Sequence, residues 1–239
     1  MWHMNPDIKT DNILDPENVY LQVKEFLCGT SIREALLEIR DGEPVVQIMH
    51  ALPDATAIEI FRELALEEAW QEEFWIFTNR HEAELVSREK FELAHGPERM
   101  SRNACLRKPS TEMKTFRALL AAIVSQEVST AFSDISGETV SFKTADMARY
   151  EHQHYLSRHQ DLFDDRRFAL IWFFAPDWQD GCGGELIVEA ETGSAKVVRP
   201  HFGSVAVLAI KEGCYHQVAA VASQVWRRFS VAVHFHAAG

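Results

Sequence analysis

A series of short apolar runs fills the second half of the chain, and this feature constrains the fold most. Glycine, proline and aspartate residues separate the runs and favour turns between them. Short strands at such regular spacing are typical of a double-sheet barrel or jelly roll. The runs cover residues 139–150, 168–175, 185–190, 196–199, 205–210, 215–221 and 228–236.

The first half of the chain has a helical pattern instead. Apolar residues recur at helical spacing from Pro16 to Arg40, with a break at Cys28-Gly29-Thr30. The pattern also predicts a helix from Asp54, as its N-cap, to about Trp70, and one from Thr111 to about Phe132. Ser110 or Thr111 is predicted to cap this last helix, and Ser136-Gly137 to end it. Strands are predicted at 44–52 and 74–79. Residues 80–109 are predicted to form an irregular lid or substrate-facing loop.

Helices followed by a dense array of strands indicate an α+β fold with a jelly-roll core. We predict that residues 1–110 form an N-terminal helical and substrate-facing region. Residues 111–239 would supply one more helix and the barrel that carries the functional site. Both parts would belong to one integrated domain.

Composition excludes several classes of function. The 239 residues carry a formal net charge of -12, which disfavours a nucleic-acid partner and an anionic membrane surface. No apolar run reaches the ~20 residues of a membrane helix, and the N-terminus lacks a secretion signal. Four widely spaced cysteines predict reduced thiols and a cytoplasmic location.

One histidine and one carboxylate stand two residues apart at the end of a strand-like segment. His159 and Asp161 would therefore point to the same side of an extended backbone. A second histidine, His216, follows on another strand-like run. Two histidines and a carboxylate are the ligands of the facial triad in non-haem Fe(II) oxygenases. Arg228, twelve residues beyond His216, offers a planar fork suited to a carboxylate.

Several short motifs accompany these residues in a fixed order. They are Tyr150, His159-Gln160-Asp161, RRFALI (166–171), Asp177-Trp178, GGEL (183–186), His216-Gln217-Val218 and Arg228-Phe229-Ser230. The set resembles the prolyl-4-hydroxylase-type Fe(II)/2-oxoglutarate-dependent dioxygenases, in particular the ribosomal-protein prolyl hydroxylases of the termination-and-polyadenylation type. The resemblance covers about the last hundred residues and thins out before residue 110.

The resemblance implies a double-stranded β-helix, a cupin-like jelly roll, with N-terminal helices packed on one sheet. It implies Fe(II) bound by His159, Asp161 and His216. It also implies 2-oxoglutarate and O2 as cosubstrates, with ascorbate as a stimulating reductant. Arg228, Tyr150 and Ser230 would hold the far carboxylate of 2-oxoglutarate. Related halogenases carry a small residue in place of the carboxylate ligand, so an aspartate there implies hydroxylation.

Some alternatives stay open at the level of sequence. Phe173 stands where related enzymes often have a second tyrosine, and Arg227 competes with Arg228 as the anchor. The substrate would be a free amino acid or small biosynthetic intermediate, or a prolyl residue in a protein. The second class of function is a non-catalytic sensor module that binds metal or 2-oxoglutarate.

Other polar residues have both a functional and a structural interpretation. Asn79, Arg80 and Arg102 could contact a substrate carboxylate or lie on a solvated loop. His152 and His154 share a segment with Tyr150, and solvent exposure or core packing is the simpler expectation for both. His234, on the last apolar run, is expected to pack or to form part of the substrate wall.

Overall fold

The computed structural model describes residues 14–79, 82–162, 165–190 and 193–238. The helices are α1 (Pro16–Leu27), α2 (Thr30–Arg40), α3 (Asp54–Leu66), α4 (Arg88–Leu93), α5 (Lys114–Ile123) and α6 (Gln126–Ser136), with a 3₁₀ turn at Gly96–Glu98. The strands are β1 (Val45–Ile48), β2 (Gln71–Asn79), β3 (Glu82–Val86), β4 (Arg99–Cys105), β5 (Val140–Tyr150), β6 (Tyr155–His159), β7 (Arg166–Phe173), β8 (Leu186–Glu189), β9 (Ala195–Val198), β10 (Val205–Ala209), β11 (Tyr215–Val218) and β12 (Arg228–Ala237). Within these ranges, no helix combines the length and the apolar character needed to cross a membrane.

The strands form one antiparallel sheet that curls into a nearly closed barrel. Its order is β1-β10-β7-β12-β5-β4-β6-β11-β8-β9, with β2 paired to β4 and β3 paired to β2. Strand β4 joins the two halves of the barrel because it pairs with both β5 and β6. This arrangement confirms the predicted α+β fold with a jelly-roll core. The predicted division at residue 110 stays a prediction.

Strand β12 packs against the helices with one face and lines the barrel interior with the other. Its alternate residues Phe229, Val231, Val233 and Phe235 are buried in the main apolar core. The ring of Phe235 lies 5.0 Å from that of Phe132 on α6. The intervening residues face the barrel interior, as period-two alternation requires. The helices therefore pack on one sheet, as predicted.

The segment predicted to be an irregular lid is mostly regular structure. It contains β3, α4 and β4, and β4 is a full member of the barrel sheet. Residues 80 and 81 of this segment lie outside the described residues. The prediction was wrong because Ser101, Asn103 and Cys105 of β4 line a polar cavity, while Arg102 points to the opposite face. A strand that is polar on both faces lacks the apolar alternation on which sequence patterns depend.

Two helix boundaries also differ from prediction. Helix α3 begins at Asp54 with Pro53 in the N-cap position, and it ends at Leu66. The helix predicted from Thr111 to Phe132 is two helices, because the Ser125 hydroxyl accepts from Val128 N and caps α6. Gly137, with φ +80°, ends α6 as predicted.

The start of α5 is capped by a residue from another helix. The Oε1 atom of Glu63 accepts from Thr115 N at 2.9 Å, and Oε2 accepts from Phe116 N at 2.7 Å. A carboxylate at a helix N-terminus satisfies unpaired amides and complements the helix dipole. Neither Ser110 nor Thr111 has this role, so the predicted caps were wrong.

We expect Glu63→Ala to lower the free energy of unfolding by roughly 1–2 kcal/mol, since two helix-start amides lose their acceptor. Chemical denaturation would measure this loss. Glu59→Ala is the control, because Glu59 lies on the same helix and pairs with Arg62 rather than with the start of α5. Equal stability of the two variants would contradict the capping role.

Candidate functional site

Neighbouring strands bring the two histidines of the sequence motif together. His159 is the last residue of β6, and its Cα partner across the sheet is His216 of β11. The ring centroids of the two histidines lie 4.1 Å apart. Asp161 follows β6 by two residues, and its side chain returns to the same point. All three residues are buried.

The three side chains form a compact ligand set. The Nε2 atom of His159 lies 3.4 Å from Asp161 Oδ1, and the Nε2 atom of His216 lies 3.5 Å from Asp161 Oδ2. The three ligand atoms all lie within 4.8 Å of one another. His159 Nδ1 donates to the carbonyl of Ser157 at 2.9 Å, which leaves Nε2 with a free lone pair. This donor set fits a divalent transition metal.

Electrostatics favour the ligating states of Asp161 and His216. Burial acts to lower the pKa of His159, but its hydrogen bond to Asp161 raises that pKa overall. Burial acts to raise the pKa of Asp161, but its hydrogen bond with His159 and the neighbouring imidazoles hold that pKa well below its usual range. Burial lowers the pKa of His216 to about 3, with His159 adding to the effect. At neutral pH, Asp161 is therefore ionised and His216 neutral, as metal binding requires.

Arg228 lies deeper in the same cavity and is almost fully buried. Its Nη1 atom donates to the carbonyl of Gly184 at 2.7 Å, while its Nε atom has no hydrogen-bond partner in the described structure. No carboxylate of the described chain forms an ion pair with it. Burial lowers the pKa of Arg228 to about 10, so it stays charged at neutral pH. A buried cation whose Nε donor lacks an acceptor suits an anionic ligand.

Two aromatic rings flank the Arg228 guanidinium. Its central carbon lies 5.1 Å from the centroid of Tyr150 and 5.0 Å from that of Phe173. Phe173 thus contributes a stacking surface at the position where a second tyrosine was expected from the family pattern. Ser230 also lines the cavity. Arg227 points outward, with 56% of its side chain exposed.

Close backbone packing explains why the GGEL motif begins with glycine. Gly183 has φ +75°, and a Cβ atom there would lie 2.1 Å from the Ala220 carbonyl oxygen. Gly184 supplies the carbonyl that accepts from Arg228. The backbone of residues 219–222 crosses so closely that only glycine fits.

We expect Gly183→Ala to destabilise the fold by roughly 2–4 kcal/mol, because it combines backbone strain with a clash against a carbonyl. Gly193→Ala is the matched control, since Gly193 has φ +77° but has open space around its Cα. That variant should lose only about 1 kcal/mol in chemical denaturation. Equal losses of stability in the two variants would show that the positive φ angle alone requires glycine at position 183.

The part of the cavity next to β2 and β4 is lined by both acidic and basic side chains. The whole cavity encloses about 600 Å³ and extends from Arg228 past the triad to β2 and β4. Glu73 of β2 is paired with Arg107 through both carboxylate oxygens, and Trp75 Nε1 also donates to Glu73 at 3.0 Å. The space is large enough for a small molecule or for a side chain of a peptide.

A polar chain that sequence analysis did not identify lies beside the triad. Arg166 Nη1 is 3.6 Å from Asp161 Oδ2 and 3.3 Å from His234 Nδ1. His234 Nε2 then lies 3.2 Å from Asp146 Oδ2 at the cavity mouth. Because arginine can only donate, this His234 tautomer carries its proton on Nε2. The start of RRFALI was the available signal, but an arginine opening a strand usually indicates a solvated position.

The remaining sequence candidates lie away from the triad. Arg102 donates through Nε to Glu72 Oε1 at 2.8 Å, on the opposite face of β4. His154 contacts the same glutamate at 3.3 Å, and His152 is exposed. Asn79 donates to Glu82 at 2.6 Å, and Arg80 lies outside the described residues.

The segment that carries the triad is similar to a known protein family. Residues 145–236 match the model of the 2OG-Fe(II) oxygenase superfamily. No curated protein matches the chain significantly.

Solved structures with the same fold include prolyl hydroxylases. One from Trichoplax adhaerens, in complex with a hypoxia inducible factor peptide fragment, is 13% identical with a TM-score of 0.67, over 91% of this chain and 93% of that one. A prolyl-4-hydroxylase from Pseudomonas putida is 20% identical with a TM-score of 0.61, over 87% and 100%. The 2-oxoglutarate-dependent epimerase SnoN of nogalamycin biosynthesis is 11% identical with a TM-score of 0.58, over 87% and 84%.

The matched segment contains the His-Asp-His triad and Arg228. Its family implies Fe(II), 2-oxoglutarate and O2. We conclude that residues 145–236 form an oxygenase domain of the 2OG-Fe(II) type and that the chain is an oxygenase enzyme.

Proposed function

We propose that the chain is an Fe(II)- and 2-oxoglutarate-dependent hydroxylase of an unactivated aliphatic C–H bond. In this proposal His159, Asp161 and His216 hold the metal. The observation that carries it is the buried triad, which shares one cavity with an unpaired arginine. Bound iron and 2-oxoglutarate would supply oxidation by O2, in which one oxygen atom enters the C–H bond and the other converts 2-oxoglutarate to succinate and CO2.

The protein's own residues would orient the cosubstrate. Arg228 would bind the far carboxylate, for which its unpaired donors are available. Burial raises the pKa of Tyr150 to about 12, so its hydroxyl keeps its proton and can donate to the same carboxylate. Ser230, two residues from Arg228 on the same face of β12, supplies another hydroxyl. The apolar walls Ile171 and Leu186 limit water beside the site.

A prolyl residue of a peptide or protein is the substrate we propose. The fold likeness to two prolyl hydroxylases, one of them bound to a peptide, supports this choice. The motif resemblance to the ribosomal-protein branch makes a translation component the protein to test first. A free amino acid is the second candidate, because the charged residues Arg107, Glu73 and Asp146 line part of the cavity.

The test begins anaerobically. Fe(II) and then 2-oxoglutarate are added to metal-free protein, and we expect a visible charge-transfer band from the chelated cosubstrate. Omission of either component should abolish the band. Its absence from folded protein would contradict the site assignment.

Substrate screening follows with oxygen and ascorbate, scored by succinate formation. We expect proline-containing peptides to stimulate succinate release above the rate without substrate. Stimulation by free amino acids alone would overturn the prolyl assignment. A band without any turnover would favour the sensor module instead.

We also propose a cytoplasmic location. The support is that Cys28, Cys105, Cys182 and Cys214 are all free thiols, as expected in a reducing compartment.

A further inference from the structure

A second pocket lies behind the cosubstrate end of the cavity. It encloses about 410 Å³. Arg149 lines it, whereas the next residue, Tyr150, lines the main cavity. Because successive residues of β5 point to opposite faces, the sheet itself separates the two spaces.

Three arginines enter this pocket, and each contacts a glutamate through Nε. Arg102 Nε donates to Glu72 Oε1 at 2.8 Å. The Nε atoms of Arg149 and Arg227 lie 2.9 and 3.3 Å from the same oxygen, Oε1 of Glu151. The contact of Arg149 is not aligned for a hydrogen bond.

The terminal nitrogens of these arginines are left available. Within the described parts of the chain, the Nη atoms of Arg102, Arg149 and Arg227 donate no hydrogen bond. Arg107 shows the contrasting case, because it uses both Nε and Nη2 to bind the two oxygens of Glu73. Each of these guanidinium groups thus contacts a glutamate through Nε and keeps its Nη donors for a further acceptor.

The local charge is positive on a protein of formal net charge -12. Three arginines face two glutamates, and Arg88 also pairs with Glu72. Burial and the neighbouring Arg227 lower the pKa of Arg149, although Glu151 acts in the opposite direction. The cations are therefore close enough to repel one another, and an added anion would relieve this repulsion.

Aromatic side chains give the pocket a fixed wall. The Arg149 guanidinium carbon lies 5.3 Å from the Trp70 ring centroid, and Trp70 Nε1 donates to the Leu64 carbonyl at 3.0 Å. Trp226 Nε1 donates to the Pro176 carbonyl at 2.9 Å. Both indoles are thus held in place.

We propose that this pocket binds a small oxyanion, namely a metabolite that carries a phosphate or more than one carboxylate. The guanidinium edges would bind its oxygens, and Trp70 would cover its carbon skeleton. This site is separate from the iron site, and its existence does not depend on the proposed hydroxylation.

Titration of the full-length chain with inorganic phosphate, at constant ionic strength, tests the proposal. We expect saturable shifts of the Trp70 and Trp226 indole N–H signals in nuclear magnetic resonance spectra. The Trp75 indole, which lines the main cavity, should not shift. A parallel titration with malonate distinguishes the two ligand types, since the tighter probe identifies phosphate or carboxylate as the preferred group.

Arg227→Gln is the decisive variant, because its side chain is 56% exposed and its loss should not unfold the protein. We expect phosphate affinity to fall roughly tenfold, the effect of one charge-assisted contact. Arg62→Gln is the matched control, with 55% exposure and one glutamate partner on α3, and it should bind as the wild type does. Absence of saturable shifts, shifts only at Trp75, or equal affinity in Arg227→Gln and wild type would each overturn the proposal.

Discussion

Replacement of Asp161 by alanine is expected to reduce 2-oxoglutarate turnover by more than about a hundredfold. Loss of a group that merely orients a metal ligand typically costs 10–100-fold, and removal of a ligand should cost more. Asp161 Oδ2 also lies 3.6 Å from Arg166 Nη1, so its charge balances a buried cation as well. Succinate formation and the charge-transfer band would both measure the loss.

Two further variants separate metal binding from folding. Asp161→Glu keeps the charge near Arg166 but displaces the oxygens, so it should stay folded and still lose most activity. Asp134→Ala removes an exposed carboxylate on α6 and should leave turnover unchanged. Full activity in folded Asp161→Ala protein would contradict the assignment of the metal ligands.

Replacement of Arg228 by glutamine is expected to raise the 2-oxoglutarate concentration needed for half-maximal turnover roughly ten- to a hundredfold. That range corresponds to about 1.5–3 kcal/mol, the usual contribution of a charge-assisted hydrogen-bonded pair. The rate at saturating cosubstrate should fall less, because Arg228 would contact the carboxylate distant from the metal. Succinate formation as a function of 2-oxoglutarate concentration measures both quantities.

Arg167→Gln is the control for this experiment. Arg167 lies on β7, is 40% exposed and pairs with Glu138 at 3.0 Å, so its loss should not change the cosubstrate requirement. An unchanged requirement in Arg228→Gln would place the anchor elsewhere in the cavity. Arg166, the other arginine close to the triad, would then be the next residue to substitute.

The barrel strands could be predicted because their two faces differ in polarity. In β12 the apolar residues Phe229 and Val231 alternate with Arg228 and Ser230, and this alternation also predicted which arginine faces inward. The structure has the same arrangement, with Arg228 in the cavity and Arg227 at the surface. The proximity of His159 and Asp161 could be predicted for a related reason, since spacing along an extended backbone fixes which side chains share a face.

The features that sequence missed depend on contacts between distant segments. The cap of α5 comes from Glu63, and no local pattern at residue 114 indicates it. Strand β4 was missed because its inward residues line a cavity rather than an apolar core. The role of Phe173 as a surface for Arg228 required the packing of β7 against β12.

The position of β12 has a consequence for synthesis of the protein. This strand lies between β5 and β7, yet a ribosome makes both neighbours before it. Until β12 emerges, β5 and β7 present unpaired backbone edges that are open to other chains. Arg228 arrives with the same strand that closes the barrel. A nascent chain therefore completes its sheet and gains this arginine in one step, and a chain truncated before β12 should aggregate rather than retain partial function.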